Sequence, residues 1–327
     1  MPRVRRALLL AGGATLLAVL VVRIGPGVIA DMLRRVGWGF LAVSALYATH
    51  VAVRALALWR SLPITLLPYA AVLRVRLSGE AVEMLTFSGP FLAEPAKGWL
   101  LTRYGFSGAD AYGSVALEYL LYTVVSFWMA TVALAMLLAR DVLPDTMHAP
   151  VVAIIVAMVA FTVAFFVAAV TGVGLIVPIV RRVGAIAGRA RADAAALRID
   201  PVERVLVGFM HNRPARLAEV LTIEAGAHAL LALEIWVVVR ALGFHLAPVD
   251  PFIIEGGVKF IGIAFFFIPG QLGASEGVYA LLFGAIGLPA ATGLTVALVR
   301  RIRALIVAGA ALAVLAWTHR NRSLRDF

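Results

Sequence analysis

Cysteine is absent from the 327 residues, which excludes disulfides, thiolate nucleophiles and cysteine-ligated metals. Charge is scarce as well. Asp, Glu, Lys and Arg make up 14% of the chain, against about a quarter in soluble domains. Together with 62% hydrophobic residues and a mean hydropathy of +0.97, this excludes an ordinary water-soluble domain. Acids are the scarcer sign, leaving a formal net charge of +11. In a soluble chain that excess would suggest nucleic acid. Here the basic flanks of membrane spans explain it more simply, and no nucleic-acid partner is expected. No HExxH or P-loop motif is present, and the six His residues are scattered without ligand spacing. No catalytic residue, metal or other cofactor is therefore expected. No stretch is long and polar enough for a separate soluble domain.

What remains is a series of long apolar runs. They predict an all-α, polytopic membrane bundle forming a single transmembrane domain over residues 1–327. Six full spans are expected near residues 7–22, 38–59, 109–139, 150–179, 217–242 and 290–317. Arg3, Arg5 and Arg6 precede the first span, and an uncleaved first span is preferred to a signal peptide. Residues 28–36 read as a short amphipathic helix at the interface. Arg54, near the end of the second span, is expected to snorkel toward the head groups. Residues 181–216 hold eight Arg, which places them in the cytoplasm by the positive-inside rule. This segment reads either as a helix against anionic head groups or as a solvated loop.

Two segments depart from the pattern. Residues 79–105 are apolar yet carry Glu80, Glu83, Glu94, Lys97 and Arg103, and they break at Ser88-Gly89-Pro90. Residues 252–286 break likewise at Pro269-Gly270. Each half is short for a crossing of roughly 20 residues, so each segment reads as a re-entrant hairpin; full crossing by each half instead would raise the count to as many as about ten spans. Following the charge rule along the chain, the first enters from the cytoplasm and the second from outside, with both termini cytoplasmic. Arg34 and Arg35 then fall outside and do not fit. An offset of 182 aligns residues 79–119 with 261–301 without a gap, placing Glu94 on Glu276 and Glu118 on Arg300. This suggests an inverted repeat, with a first half near 38–140, the basic loop at 181–216, and a second half near 217–318. Inverted repeats with broken helices are common in secondary transporters.

Charges at membrane depth are costly and mark candidate sites. Glu94 and Glu276 follow the two breaks. Each is either a cap on its half-helix or part of a site where bare N–H groups meet a lipid phosphate. Lys97, three residues after Glu94, shares its face and is placed to neutralise it or touch a phosphate. Arg300, Arg301 and Arg303 lie about ten residues into the last span. They either grip an anionic head group or pair with Glu118, Glu224, Glu234 or Glu276. Glu118 and Arg300 would suit a pair across the repeat axis. Glu255 and Lys259 are spaced for an i,i+4 bridge. For His228, a satisfied buried hydrogen bond is preferred to a metal pair with Glu224.

The block TFSGPFLAEPAKGWLL (residues 86–101) resembles the TP-x-GG-x-x-GEP-x-K/R block of a flippase-like membrane family. That family includes the transmembrane domain of lysylphosphatidylglycerol synthases and the archaeal glycosylation-associated and hopanoid-associated membrane proteins. The late block PGQLGASEGVYALLFGAIGLP (residues 269–289) is similar to its PGG-x-G-x-x-E block. Glu94, Lys97, Glu276 and Arg301 fall on the matching polar positions. Phe87 stands where Pro is usual, and Ala93 and Gln271 where Gly is usual. The resemblance implies a lipid flippase or lipid-handling transporter of the bacterial inner membrane. Its substrate would be a lipid with a phosphate or other polar head group, held by Glu94, Lys97, Glu276, Arg300, Arg301 and Arg303. Further expected partners are the anionic lipid surface at residues 181–216 and a second copy of the chain. A lipid-modifying enzyme and an accessory subunit of hopanoid or polyprenyl-glycan assembly remain alternatives. The synthases' aminoacyl-transferase domain has no counterpart in these residues.

Overall fold

The structure, a computed structural model, describes residues 34–63, 67–85, 90–264 and 274–323, with Gly27 and Asp31. The first predicted span, most of the interfacial segment at 28–36, and the breaks at Ser88-Gly89 and Pro269-Gly270 lie outside the described residues. All regular structure among the described residues is helical. The first half comprises α1 (Gly39–Ser61), α2 (Tyr69–Leu85), α3 (Pro90–Arg103) and α4 (Gly108–Ala139). Next come α5 (Asp145–Thr171), α6 (Ile176–Gly184), a 3₁₀ turn (Ala185–Ala187) and α7 (Arg189–Asn212). The second half comprises α8 (Pro214–Ala241), α9 (Asp250–Ala264), α10 (Ala274–Ala285) and α11 (Ala290–Ser323).

Four helices, α1, α4, α5 and α8, are long and apolar enough to cross a membrane. At 34 residues α11 is longer than any of them, but its charges break the apolar run. The four short helices α2, α3, α9 and α10 have 17, 14, 15 and 12 residues, each below the roughly 20 of a perpendicular crossing. Among α1–α4 and α8–α11, exchanging the two sets leaves the substantial packing contacts unchanged. α1 packs on α8, α4 on α9 as α11 on α2, and α3 on α4 as α10 on α11.

The bundle is apolar outside and charged inside, the inverse of a soluble domain. α5 exposes Val152, Val156, Val163 and Val170 along its length, which suits lipid contact. Apolar clusters lie at both ends of the long helices. Near the start of α1, Val36, Phe40 and Val43 pack with Ile235, Val238 and Val239 of α8 and Phe283 of α10. At its end, Leu58 and Leu62 pack with Val72 and Val75 of α2 and Leu101 of α3. Between them, Tyr47, His50 and Arg54 are all buried. Spacings of three and four put these polar residues on one helix face.

One expectation changes, and one alternative is decided. The span predicted at 150–179 ends at Thr171, because Gly172 takes a left-handed conformation (φ 70) that closes α5, and α6 begins as a separate helix. The basic segment at 181–216 is largely helical rather than an open loop. The last turns of α7 bury Leu206, Val207, Phe209 and Met210 against α4, α5 and α8. Arg35 pairs with Asp31 at 3.2 Å on the exposed surface.

Candidate functional site

Two ion clusters occupy the interior, one in each half. In the first, Glu118 of α4 is fully buried and collects cations from three helices. Arg54 of α1 lies 2.6 Å away, Lys97 of α3 at 3.3 Å and Arg76 of α2 at 3.8 Å. Lys97 is itself fully buried and reaches Glu94, one turn earlier, at 2.7 Å. Arg76 pairs with Glu80 at 2.9 Å. The position of Lys97 depends on Gly79 of α2. A β-carbon there would stand 2.7 Å from the Lys97 Cγ.

In the second cluster the signs are exchanged. Arg300 of α11 is the centre and donates to Glu255 of α9 at 2.7 Å, to Glu234 of α8 at 3.1 Å, and to the Tyr279 hydroxyl of α10. Arg303, one turn on, makes a two-pronged pair with the same Glu234, its Nη2 at 2.8 Å. Lys259 completes the predicted bridge to Glu255 at 3.4 Å. Glu118 and Arg300 thus occupy matching places, 182 residues apart, and reach matching places on the short helices, Lys97 and Tyr279. They do not pair with each other as expected from the alignment. Each finds opposite charge within its own half or on the helices beside it.

Two tyrosines join the clusters. The Tyr47 hydroxyl donates to Glu80, while the Arg303 guanidinium stacks 3.5 Å from its ring centroid. Tyr122 carries Arg54 at 3.7 Å from its ring, and its hydroxyl accepts from Lys259. Phenol rings suit this place because the π face takes a guanidinium and the hydroxyl a charged partner. A separate pair, Arg301 to Glu276 at 2.8 Å, lies at the start of α10 and also involves Ser275. Its groups keep 18% and 19% of their side-chain surface exposed. Glu94 keeps 15%, whereas Glu118 and Glu234 keep none.

Each predicted site residue is thus in an ion pair, and Arg300 and Arg303 join the interior network with Glu94 and Lys97. Glu94 and Glu276 pair separately, with Lys97 and with Arg301. The capping alternative separates them. Glu276 falls in the first turn of α10, but Glu94 is the fifth residue of α3, beyond the first turn. Arg54 overturns its expectation. It is 5% exposed, stands two turns inside α1 and turns into the bundle, because Glu118 satisfies it there better than distant head groups could. His228 makes the satisfied contacts preferred for it, to Ser126 Oγ and the Glu224 carbonyl, both at 2.8 Å. Arg103 is exposed and lies over Trp99.

Arg76, Tyr47 and Tyr122 were not singled out by sequence. The available signal was spacing. Ser114, Glu118, Tyr122 and Ser126 on α4, like Tyr47, His50 and Arg54 on α1, recur at helical intervals within apolar runs. An apolar cavity lies elsewhere. It is an outward-facing apolar groove of about 640 Å³ between α4 and α5, lined by Trp128, Val132, Val163 and Phe166, and no lining residue belongs to the ion network.

A helical bundle with a buried, tyrosine-bridged ion network and a lipid-facing apolar exterior defines a polytopic membrane protein. The family model for the lysylphosphatidylglycerol synthase TM region matches residues 6–311, and the chain belongs to that family. No curated protein and no solved structure gives a significant match.

Proposed function

We propose that this protein is a lipid flippase that passes an anionic head group through the bundle interior while the acyl tails stay in lipid. The observation that carries the reading is the continuous ion network between the two halves. Buried ions are retained at a cost of several kcal/mol each unless paired, and their default meaning inside a membrane is a pathway. The Arg54–Glu118, Arg76–Glu80 and Arg303–Glu234 pairs are sealed, Lys259 is partly exposed but held by both Glu255 and Tyr122, and Glu94–Lys97 and Arg301–Glu276 keep some exposure. These two pairs are the natural first contacts. A phosphate competing with Glu94 for Lys97, or with Glu276 for Arg301, exchanges one anion for another without stranding a cation. Arg300 and Arg303 then offer guanidinium forks deeper in.

On this reading the short helix pairs α2–α3 and α9–α10 are re-entrant hairpins from opposite leaflets, and the two halves are inverted repeats in the bacterial inner membrane. Repacking one half against the other opens the network to each side in turn. The same reading gives α6 a surface role. It exposes Ile179 and Val183, and with Arg181 and Arg182 it rests on the anionic cytoplasmic leaflet.

The test is reconstitution in liposomes with fluorescent phosphatidylglycerol and chemical quenching of the outer leaflet. Wild type should move the lipid well above protein-free vesicles. Lys97→Gln and Arg300→Gln should each slow it at least about tenfold, the rate equivalent of about 1.4 kcal/mol. Absence of movement, or variants that match wild type, sinks the flippase reading. A chemically altered lipid would indicate the enzyme instead.

A further inference from the structure

Among the described residues, Glu224 of α8 is the one fully buried acid that the pairing leaves over; Glu83 of α2 makes no ion pair either but is only half-buried. In the first cluster the cations and acids match one to one: Arg54 with Glu118, Arg76 with Glu80, and Lys97 with Glu94. Glu224 is fully buried, and neither carboxylate oxygen has a hydrogen-bond partner. Its nearest cation is the Arg54 Nε at 3.6 Å, which makes no hydrogen bond to it.

The neighbouring helices offer no replacement. From α1, His50 is bonded to the Ala227 carbonyl and Arg54 is committed to Glu118. From α4 come Glu118 itself and Tyr122, whose hydroxyl serves Lys259. Arg76 and Lys97, on α2 and α3, are engaged as above. On α9, Lys259 holds Tyr122 and Glu255. On α11, Arg300 and Arg303 serve Glu234, ten residues along α8 and so about 15 Å away. On α7, Glu203 accepts from the first amides of α6 and His211 meets the Ala169 carbonyl. On α8 itself, His228 bonds the Glu224 backbone rather than its carboxylate. An ionised carboxylate without hydrogen bonds in so dry a place is strongly disfavoured, and such groups take a proton instead.

We propose that Glu224 is a proton-binding site, occupied in this packing, and that its proton travels with the anionic head group. The coupling half rests on the flippase reading; the protonation half does not. The network, apart from the neutral Arg301–Glu276 pair, holds Arg54, Arg76, Lys97, Lys259, Arg300 and Arg303. Against these six stand Glu80, Glu94, Glu118, Glu234 and Glu255, with Glu224 as the sixth acid. With Glu224 neutral, the paired groups of this network carry one net positive charge, the complement of a singly charged phosphodiester. When the lipid leaves, Arg54 turns to Glu224, and the proton passes to water admitted on opening. One proton and one lipid anion then cross together, without net charge.

Two measurements separate the halves. In lipid nanodiscs at neutral pH, infrared spectra should show the carbonyl stretch of a protonated carboxyl. The band should be lost in Glu224→Gln and kept, shifted, in Glu224→Asp. A wild type without the band, or a band untouched by Glu224→Gln, overturns the site. In liposomes, a one-unit pH gradient should bias fluorescent phosphatidylglycerol by up to about tenfold between leaflets, the equivalent of one proton per lipid. Glu224→Gln should still move the lipid but ignore the gradient. Equal gradient response in both proteins overturns the coupling. A wild type that moves no lipid overturns the flippase reading, while the infrared band still decides whether Glu224 holds a proton.

Discussion

Lys97 is a fully buried lysine shared by two carboxylates, Glu94 at 2.7 Å and Glu118 at 3.3 Å. Its removal leaves Glu118 with Arg54 and Arg76 but takes the direct partner from Glu94. Breaking a buried pair costs about 3–5 kcal/mol. Glu94 keeps some exposure, so its own loss is partly offset by solvent. Thermal unfolding in detergent should therefore place Lys97→Gln clearly below Glu94→Gln, and equal midpoints would contradict the burial argument. Arg303 makes a second residue-scale case. Its fork holds Glu234 while its plane stacks on Tyr47. A lysine keeps the charge but neither geometry. Arg303→Lys should slow lipid movement in the liposome assay, and wild-type rates would show that charge alone matters there.

At the scale of elements, the short helices place the ions and the glycines let them approach. Gly79 of α2 lies directly under the Lys97 stem. Alanine is the better helix former by about 1 kcal/mol, yet Gly79→Ala should lower the unfolding midpoint, because the added methyl displaces Lys97 from Glu118. A raised midpoint would mean that the lysine stem yields without loss. The existence of these short helices was legible in the sequence, from the Gly/Pro breaks and the charges inside apolar runs. Their ends were legible too: Gly105 and Gly287 follow α3 and α10 with positive φ, as a helix stop requires. The end of α5 at Gly172 was missed, because the apolar run continues unbroken through Val173, Leu175 and Ile176. Hydropathy does not register a left-handed turn inside such a run.

For the whole molecule, the absence of cysteine makes topology directly measurable. Asp141→Cys, between α4 and α5, should react with an impermeant maleimide added outside intact cells, and Asp193→Cys on α7 only after permeabilisation. Ser88→Cys should resist the outside reagent if the first short pair is re-entrant and react with it if both helices cross. The opposite result at Asp141 and Asp193 would invert the orientation drawn from the Arg-rich segment. Sequence by itself determined the membrane class, the basic segment, the short helices and the place of the Arg300–Arg303 group within the last helix. These follow from composition and order along one chain, which lipid and water read locally. Tertiary structure alone decided which charges meet between helices. Arg54 and Glu118 are 64 residues apart, and Arg300 and Glu234 are 66 apart. Their pairing depends on how each helix is rotated and where it crosses its neighbour, and the side-chain packing of the assembled bundle sets both.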